Sequence, residues 1–482
     1  MPIRLFLATL FVAASALAEP IGYDGARHLL NRTGFGATDA EVRDFAALER
    51  GEAVERILAA TRREATLTPP AFASEPFKPF VPLARLSADE RAREQRRLQD
   101  EAFALREWWV REMLATPSPL TERMTLFWHG HFATSQQKVR SAQLMYRQNA
   151  LLRREALGNF ASLLHAIARD PAMLIYLDNA GSRKQAPNEN FAREVMELFT
   201  LGEGHYGERD VKEAARAFTG WSLDRERGTF VQRAAWHDPD EKTVLGRAGY
   251  LDGKDVLDIL LARPETAEFI ASKLWKEFVS PAPDAKEVKR LAGIFRGARY
   301  DLKPLMQAML VEDAFWAGEN RGVLVKSPVE LVVGTLRMFH VQPIDLRPAV
   351  IACATLGQNP FAPPNVKGWP GGEAWINSAT LLARKQLVER LLANDDRMET
   401  RAPMGEMADG AAQKGRDERL RRAMDRGIAA YRVDWERWPG AGTGAGVDRL
   451  VLAIAPANPM PEEAIGAARA RRLAADPAYQ LK

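Results

Sequence analysis

Residues 120–131 have the sequence Leu120-Thr121-Glu122-Arg123-Met124-Thr125-Leu126-Phe127-Trp128-His129-Gly130-His131 and follow two prolines, Pro117 and Pro119. A proline ends one helix and is well placed at the first turn of the next. Leu120, Met124, Phe127, Trp128 and His131 recur at 0, 4, 7, 8 and 11, which is one stripe of a 3.6-residue period. The stretch therefore predicts a helix that packs one face against a core.

The same period recurs along most of the chain. Ser87 and Glu90 form a capping-box pattern ahead of a predicted helix from Ala88 to Leu114, and Gly202 ends another that begins at Asn190. Strand signals are few; we expect residues 228–231 and 243–245 to form one small hairpin. The predicted fold is mostly α, a large multi-helix domain with at most a small β-hairpin.

Composition excludes several classes of protein. The 482 residues are 46% hydrophobic and 27% charged, which excludes wholesale disorder. Lys and Arg number 67 against 63 Asp and Glu, a net charge of 67 − 63 = +4, with no concentrated basic segment, so we expect no nucleic-acid partner. A single cysteine, Cys353, excludes a disulfide framework and a multi-cysteine zinc site.

The N-terminus has the features of an export signal. Arg4 precedes an apolar run, 5–17, that is too short to span a bilayer comfortably, and Ala16-Leu17-Ala18 suits cleavage after Ala18. We predict a periplasmic or secreted protein that is not transmembrane after cleavage. The expected organisation is a signal peptide, a main helical domain, a flexible or irregular insertion and a C-terminal helical segment packed on the main domain, over 1–18, 19–394, 395–446 and 447–482.

The first candidate site is His129-Gly130-His131. Two histidines two residues apart can share a metal ion when the backbone is extended, whereas on a continuous helix they point about 200° apart. Because His131 lies on the apolar stripe, the alternative is a core histidine held by a hydrogen bond. Both interpretations stay open from the sequence.

The second candidate is the helix from Asn190 to Leu201. On an α-helical wheel Asn190, Glu194 and Glu197 share a strip about 60° wide that borders the buried face. Carboxylates three residues apart raise each other's cost of ionisation unless a cation compensates them. That cation is a metal or an arginine, and Arg193, four residues before Glu197, is the simple structural choice.

The third candidate is a glycine-rich loop with the sequence Asn365-Val366-Lys367-Gly368-Trp369-Pro370-Gly371-Gly372, followed by Trp375. Tryptophans on such a loop can present flat apolar faces to a sugar or a peptide. The alternative is a structural turn with both indoles packed inward. The loop lacks the glycine spacing and the Lys-Ser/Thr ending of a phosphate-binding loop.

These segments resemble a bacterial family, the domain of unknown function 1800. The resemblance spans nearly all of the chain after the signal and is carried by motifs at 27–36, 127–135, 170–179, 187–202, 214–221, 365–384 and 476–480. It implies an exported, mostly helical protein of unestablished activity and, as a partner, a second exported uncharacterised protein encoded nearby. Many members have a histidine where this chain has Phe199, and the family offers no catalytic residue to carry over.

Two functions follow as hypotheses. In the first, the protein is a metal-dependent, hydrolase-like enzyme. His129, His131 and Glu194 hold one divalent ion, zinc, manganese or iron, Glu197 acts with Glu194 in catalysis, and Asn190, Arg193, Trp369 and Trp375 bind substrate. In the second, the polar motifs only fix helix packing in a non-catalytic binding or assembly protein for a polysaccharide or a protein partner. A metal-free glycosidase ranks below both, because Glu194 and Glu197 share one helix turn.

Overall fold

The structure is a computed structural model and describes residues 19–81, 83–341, 343, 345–393, 427–428, 430–436, 438 and 444–482. The predicted signal peptide at 1–18 lies outside the described residues. So does most of the predicted insertion at 395–446. Of its described part, Ile428, Tyr431, Val433 and Trp438 are buried.

The chain is mostly α-helical, as the periodicity predicts. The helices are α1 Gly22–Thr33, α2 Asp39–Ala46, α3 Arg50–Ala59, α4 Ala88–Ala115, α5 Pro119–His131, α6 Gln136–Val139, α7 Ala142–Arg154, α8 Phe160–Ala168, α9 Pro171–Tyr176, α10 Glu189–Glu194, α11 Glu208–Ala217, α12 Gly253–Ala262, α13 Pro264–Phe278, α14 Ala285–Gly297, α15 Leu302–Val311, α16 Asp313–Trp316, α17 Pro328–Met338, α18 Arg347–Thr355, α19 Ser378–Leu392, α20 Gly444–Val451 and α21 Gly466–Ala475.

Local signals place several helix ends correctly. The capping box of Ser87 and Glu90 starts α4, as predicted. Short 3₁₀ turns lie at Ala71–Ala73, Leu83–Arg85, Asn179–Gly181, Ala234–Trp236, Gly318–Asn320, Gly372–Trp375 and Pro477–Gln480. None of the described helices is long and apolar enough to cross a membrane.

The strands form two separate hairpins, and the predicted pairing of 228–231 with 243–245 is wrong. β1 (Trp221–Asp224) pairs antiparallel with β2 (Thr229–Gln232), and β3 (Lys242–Val244) with β4 (Arg247–Gly249). Each strand pairs with its neighbour in sequence because a tight turn lies between them. The second turn has Leu245 and Gly246 at φ 48° and 81°, which suits a two-residue hairpin.

The helix from residue 119 to 131, α5, is buried over most of its surface. Its apolar stripe is buried except for the half-buried Phe127, and Glu122, Arg123, Thr125 and His129 on its other faces are buried as well. A helix buried on several faces must compensate its polar groups internally. Buried apolar residues from Ala26 in α1 to Tyr479 near the end of the sequence form one continuous core around it.

The charges of α5 are paired with neighbouring helices. Arg153 of α7 donates through Nε and Nη2 to the two carboxylate oxygens of Glu122, at 2.6 and 2.9 Å, and Trp109 of α4 donates to Glu122 Oε2 at 2.8 Å. Arg123 forms salt bridges with Glu277 of α13 and Glu330 of α17. These contacts fix the position of α5, and its C-terminal end carries the two candidate histidines.

Candidate functional site

The structure brings three of the predicted segments together at the C-terminal end of α5. The loop 365–372 packs so closely on this end that a Cβ atom at Gly368 would overlap the carbonyl oxygen of Gly130. The Trp369 ring lies 5.3 Å from the His129 ring between centroids. His131 Nε2 lies 3.2 Å from the carbonyl oxygen of Phe199, which belongs to the segment after α10. Gly368 makes this approach possible because it has no side chain, whereas a Cβ atom at Gly130 would make only an ordinary contact with Trp369.

His129 is a core side chain in aromatic surroundings. It is 1% exposed, and its ring centroid lies 5.6 Å from that of Trp109 and 5.3 Å from that of Phe361. No described group hydrogen-bonds to its Nε2 atom. Burial lowers the pKa of His129 to about 3. The imidazole is therefore neutral at physiological pH and packs as an aromatic ring would.

His131 is a core histidine held by hydrogen bonds on both ring nitrogens. Lys273 of α13 donates its ammonium to Nδ1 at 2.9 Å, and the carbonyl oxygen of Phe199 faces Nε2. Since an ammonium can only donate and a carbonyl only accept, Nδ1 is the acceptor and Nε2 carries the proton. Burial, and then the charge of Lys273, hold the pKa of His131 well below its usual range.

The segment that carries the candidate carboxylates is not a continuous α-helix. α10 ends at Glu194, and Val195–Leu201 is a π-helix that ends at Gly202, whose N–H donates to the carbonyl of Glu197. The Thr200 hydroxyl donates to the carbonyl of Val195, five residues earlier, at 2.7 Å. Short π-helical segments in proteins occur frequently at functional sites, because they displace side chains from their α-helical positions.

Glu194 and Glu197 lie close to one another and are half-buried. Burial, and then the charge of Glu197, raise the pKa of Glu194, against the opposing charges of Lys367 and Arg193. No described group forms a hydrogen bond or a salt bridge with the Glu194 carboxylate. Glu197 Oε2 accepts a hydrogen bond from the Tyr206 hydroxyl. Within the described part of the chain, Glu197 thus has a phenol as its hydrogen-bond partner and Glu194 has no partner.

The simple structural explanation for the pair, neutralisation by Arg193, does not hold. Arg193 directs its guanidinium to Glu208 of α11, at 2.7 and 2.8 Å, rather than to Glu197. Asn190 is exposed on the first turn of α10. A cation on the glycine-rich loop, Lys367, opposes the negative charge at Glu194; its Nζ lies 3.7 Å from Glu203 Oε1, and its side chain is largely exposed.

The two tryptophans of the glycine-rich loop differ in their surroundings. Trp375 is 6% exposed and packs near Gly357, so it offers no face to solvent. Trp369 is half-buried against His129 and Gly130, and no described group bonds to its buried indole N–H. The inward-packed alternative therefore describes Trp375, while Trp369 links the loop to the histidine segment.

The predicted metal ligands are not assembled in this structure. Within the described parts of the chain, no three His, Cys, Asp or Glu side chains lie together so that they could hold a metal ion. The physical reason lies in the histidines. His131 uses both ring nitrogens on Lys273 and Phe199, and His129 is enclosed by aromatic rings. A metal site built from His129, His131 and Glu194 stays a prediction that would need these contacts to rearrange.

Sequence reasoning missed a second polar group, around Glu330 of α17. A small, partly open cavity there is lined by Asn31, Lys326, Glu330, Thr335, Tyr479 and Lys482, together with the glycines of 34–36 and Gly334. Lys482 forms a salt bridge with Glu330 Oε1, and Arg123 Nη1 lies 3.0 Å from the same oxygen. The sequence contained a signal for this group, because the motifs at 27–36 and 476–480, from opposite ends of the sequence, both contribute residues to the cavity wall.

Comparison with known proteins identifies a family but no activity. A search of curated proteins and a search of solved structures found no match to this chain. A family model described as "Protein of unknown function (DUF1800)" matches residues 28–480. This range contains α5, both carboxylates, the glycine-rich loop and the walls of the cavity except Lys482. The chain therefore belongs to the DUF1800 family, whose activity is not established.

Proposed function

We propose that this chain is an exported, hydrolase-like enzyme in which Glu194 is the general acid–base group. Glu197, hydrogen-bonded by Tyr206, lies beside it and holds the second position from which a water molecule or a polar substrate can be bound. The Lys367 side chain on the glycine-rich loop supplies positive charge next to developing negative charge. Export rests on the signal-like segment at the N-terminus.

The observation that carries this proposal is the carboxylate of Glu194, which has no hydrogen-bond or salt-bridge partner among the described residues. It is half-buried, and its pKa is raised by burial and then by the charge of Glu197, against the opposing charges of Lys367 and Arg193. Such an arrangement costs stability, since a glutamine at the same place would avoid both burial of charge and like-charge repulsion. Groups with raised pKa values in partly buried positions suit proton transfer near neutral pH.

A bound divalent metal is a separate prediction and not part of this proposal. The two carboxylates alone provide fewer ligands than a typical protein zinc, manganese or iron site, and the imidazoles are engaged elsewhere. Metal analysis of the purified protein, compared with a variant carrying His129→Ala and Glu194→Ala, tests it. Equal metal content in both proteins would end that prediction.

The test of the proposal is hydrolysis of a panel of chromogenic esters, amides, phosphates and glycosides by the wild type and by Glu194→Gln. We expect the wild type to cleave one class and Glu194→Gln to lose about 100-fold or more of that activity. Thermal stability of the variant should be equal or higher, because a repulsive charge is removed. Glu189→Gln, at an exposed position on the same helix, is the matched control and should retain activity.

A wild type that cleaves nothing in the panel, or a Glu194→Gln variant that cleaves as fast as the wild type, would overturn the proposal. Loss of activity together with a large loss of stability would indicate a structural role for the carboxylate instead. That outcome favours the second candidate below.

The second candidate is a non-catalytic binding or assembly protein for a polysaccharide or a protein partner, such as a second exported protein. The burial of His129 and the double hydrogen bonding of His131 favour it, because both histidines then serve only to hold α5 against its neighbours. Under this candidate Glu194→Gln leaves partner binding unchanged. Trp369→Ala, in contrast, loosens the glycine-rich loop and weakens partner binding.

A further inference from the structure

The first hairpin has exposed arginines at both of its ends. Arg225 and Arg227 lie in the turn between β1 and β2, and Arg233 directly follows β2; all three are exposed. Because a strand rises about 3.3 Å per residue, the four residues of β2 separate the two ends by about 13 Å. The arginines are therefore spread along the hairpin.

Two helical segments bring further arginines against the same hairpin. Arg147 of α7 donates to the carbonyl oxygens of Arg227 and Gly228, at 3.4 and 3.2 Å. The guanidinium of Arg169, between α8 and α9, lies 6.0 Å from the centroid of the Phe230 ring on β2. Cations from distant parts of the sequence thus surround this hairpin.

The segment from 180 to 184 adds two more cations beside β1. The Ser222 hydroxyl of β1 donates to the carbonyl of Ala180 at 2.7 Å, and the backbone N–H of Lys184 donates to the carbonyl of Trp236 at 2.8 Å. These bonds hold the segment along the hairpin and place the exposed side chains of Arg183 and Lys184 at its edge.

We call residues 180–184 and 221–236, with the two helical arginines, the basic hairpin surface. It contains two acids, Asp224 and Glu226, against seven cations, Arg147, Arg169, Arg183, Lys184, Arg225, Arg227 and Arg233. The acids two residues beyond these segments are each paired with another cation, Asp178 with Lys138 and Asp238 with Arg216. The next acids along the chain, Glu189, Asp240 and Glu241, lie outside the segments and mark the limits of the surface.

Most of these charges have no carboxylate partner. Within the described part of the chain, the side chains of Arg183, Lys184 and Arg225 form no hydrogen bond or salt bridge. Arg169 and Arg233 donate to backbone carbonyls, which accept hydrogen bonds but carry no opposite net charge. The surface therefore presents positive charge to solvent.

One aromatic ring lies within this surface. Trp236 is half-buried, and the guanidinium of Arg233 lies 4.9 Å from the centroid of its ring. Among the described residues the indole N–H has no hydrogen-bond partner, and it is not enclosed. A sugar ring that carries a carboxylate can contact such an indole and the adjacent guanidinium at the same time.

The surface has none of the large exposed apolar side chains of the described chain, which are Val81, Tyr250, Leu382, Ile454 and Ile465. A protein partner usually requires an apolar centre in the interface, and a peripheral membrane protein usually inserts apolar side chains into the bilayer. A hydrated anionic polymer requires neither, so it fits this surface better than a protein or a membrane does.

We propose that the basic hairpin surface binds an acidic polysaccharide whose sugar units carry carboxylates. Guanidinium groups bind carboxylates through paired N–H donors, and cations about 13 Å apart require a ligand that spans several sugar units. This proposal defines the chemistry of the polysaccharide in the second candidate function. It does not depend on catalysis by Glu194.

The test is isothermal titration of the purified protein with polygalacturonate at about 50 mM and about 300 mM NaCl. We expect binding at the lower salt concentration and weaker binding at the higher one. Arg183→Glu combined with Lys184→Glu should weaken binding about tenfold or more at the lower salt concentration. Both side chains are exposed and unpaired, so the variant should unfold at the same temperature as the wild type.

Lys286→Glu combined with Lys289→Glu, at exposed positions on α14, is the matched control. It changes the net charge equally and should bind polygalacturonate as the wild type does, and so should Glu194→Gln. Binding by Glu194→Gln separates this proposal from the proposed hydrolase activity. Arg225→Glu, on the same surface, should also weaken binding and keeps the proposal testable if the first variant does not fold.

Four outcomes would overturn the proposal. They are no binding of polygalacturonate at the lower salt concentration, an equal loss of affinity in the α14 control, equal binding of neutral dextran, and tighter binding of DNA or of anionic phospholipid vesicles than of polygalacturonate.

Discussion

Replacing His129 by leucine should make the protein more resistant to acid. His129 is buried among Trp109, Phe361 and Trp369, and burial lowers its pKa from 6.5 to about 3. In the unfolded chain the imidazole takes up a proton as the pH falls below 6.5, whereas the folded chain takes it up only near pH 3. The stability that depends on the neutral imidazole of His129 is therefore fully present above pH 6.5 and is lost as the pH falls towards 3.

The magnitude follows from this difference in proton uptake. Each pH unit between the two pKa values costs about 1.4 kcal/mol for one proton. Because of His129, the free energy of unfolding of the wild type should be about 2 kcal/mol lower at pH 5 than at pH 7. His129→Leu should not show this part of the decrease. Leucine has a similar volume and needs no hydrogen bond, so the variant should fold at neutral pH.

The assay is urea-induced unfolding at pH 7, 6 and 5 in the presence of EDTA. Burial also lowers the pKa of His28 to about 3, so the wild type and the variant share that acid sensitivity, and only their difference reports on His129. His205→Gln, at an exposed position, is the control and should follow the wild type. Parallel pH profiles for the wild type and His129→Leu would refute the reasoning, because they would mean that the native imidazole already titrates normally.

Two further predictions concern the packing of α5. Glu122→Gln leaves the Arg153 guanidinium buried without its counter-charge and should cost about 3–5 kcal/mol in urea unfolding; a loss below about 1 kcal/mol would contradict the structural role of this ion pair. Gly368→Ala places a methyl group against the Gly130 carbonyl at a residue whose φ is 85°, and should lower the free energy of unfolding by about 2–4 kcal/mol. Gly371→Ala is the control, because no atom lies within 4 Å of its new Cβ, and it should be nearly neutral in the same urea unfolding measurement.

The helices could be predicted because their signals are local. The stripe from Leu120 to His131 and the capping box at Ser87 depend only on residues within a few turns of one another, and both gave the right element. The predicted pairing of residues 228–231 with residues 243–245 is wrong. Period-two patterns identify a strand but not its neighbour, and here each short strand pairs across the nearest turn.

Features that depend on contacts between residues far apart in the chain could not be predicted from the sequence. One stripe predicted one buried face for α5, but Glu122 and Arg123 on the opposite faces are also buried, and their partners lie on α7, α13 and α17. The π-helix after Glu194 was missed for another reason. A helical wheel drawn at 100° per residue assumes an α-helix, and the residue types around Glu197 do not predict the wider turn of a π-helix.

The candidate site separates into groups that can exchange protons with a ligand and groups that cannot. His129 and His131 looked the more reactive from the sequence, yet burial keeps both neutral, and His131 has no free ring nitrogen. Glu194 is the opposite case, because it is half-buried, close to Glu197 and without a hydrogen-bond or ion-pair partner among the described residues. Under the proposed function proton transfer is the role of this carboxylate, and activity should then depend on Glu194 more than on either histidine.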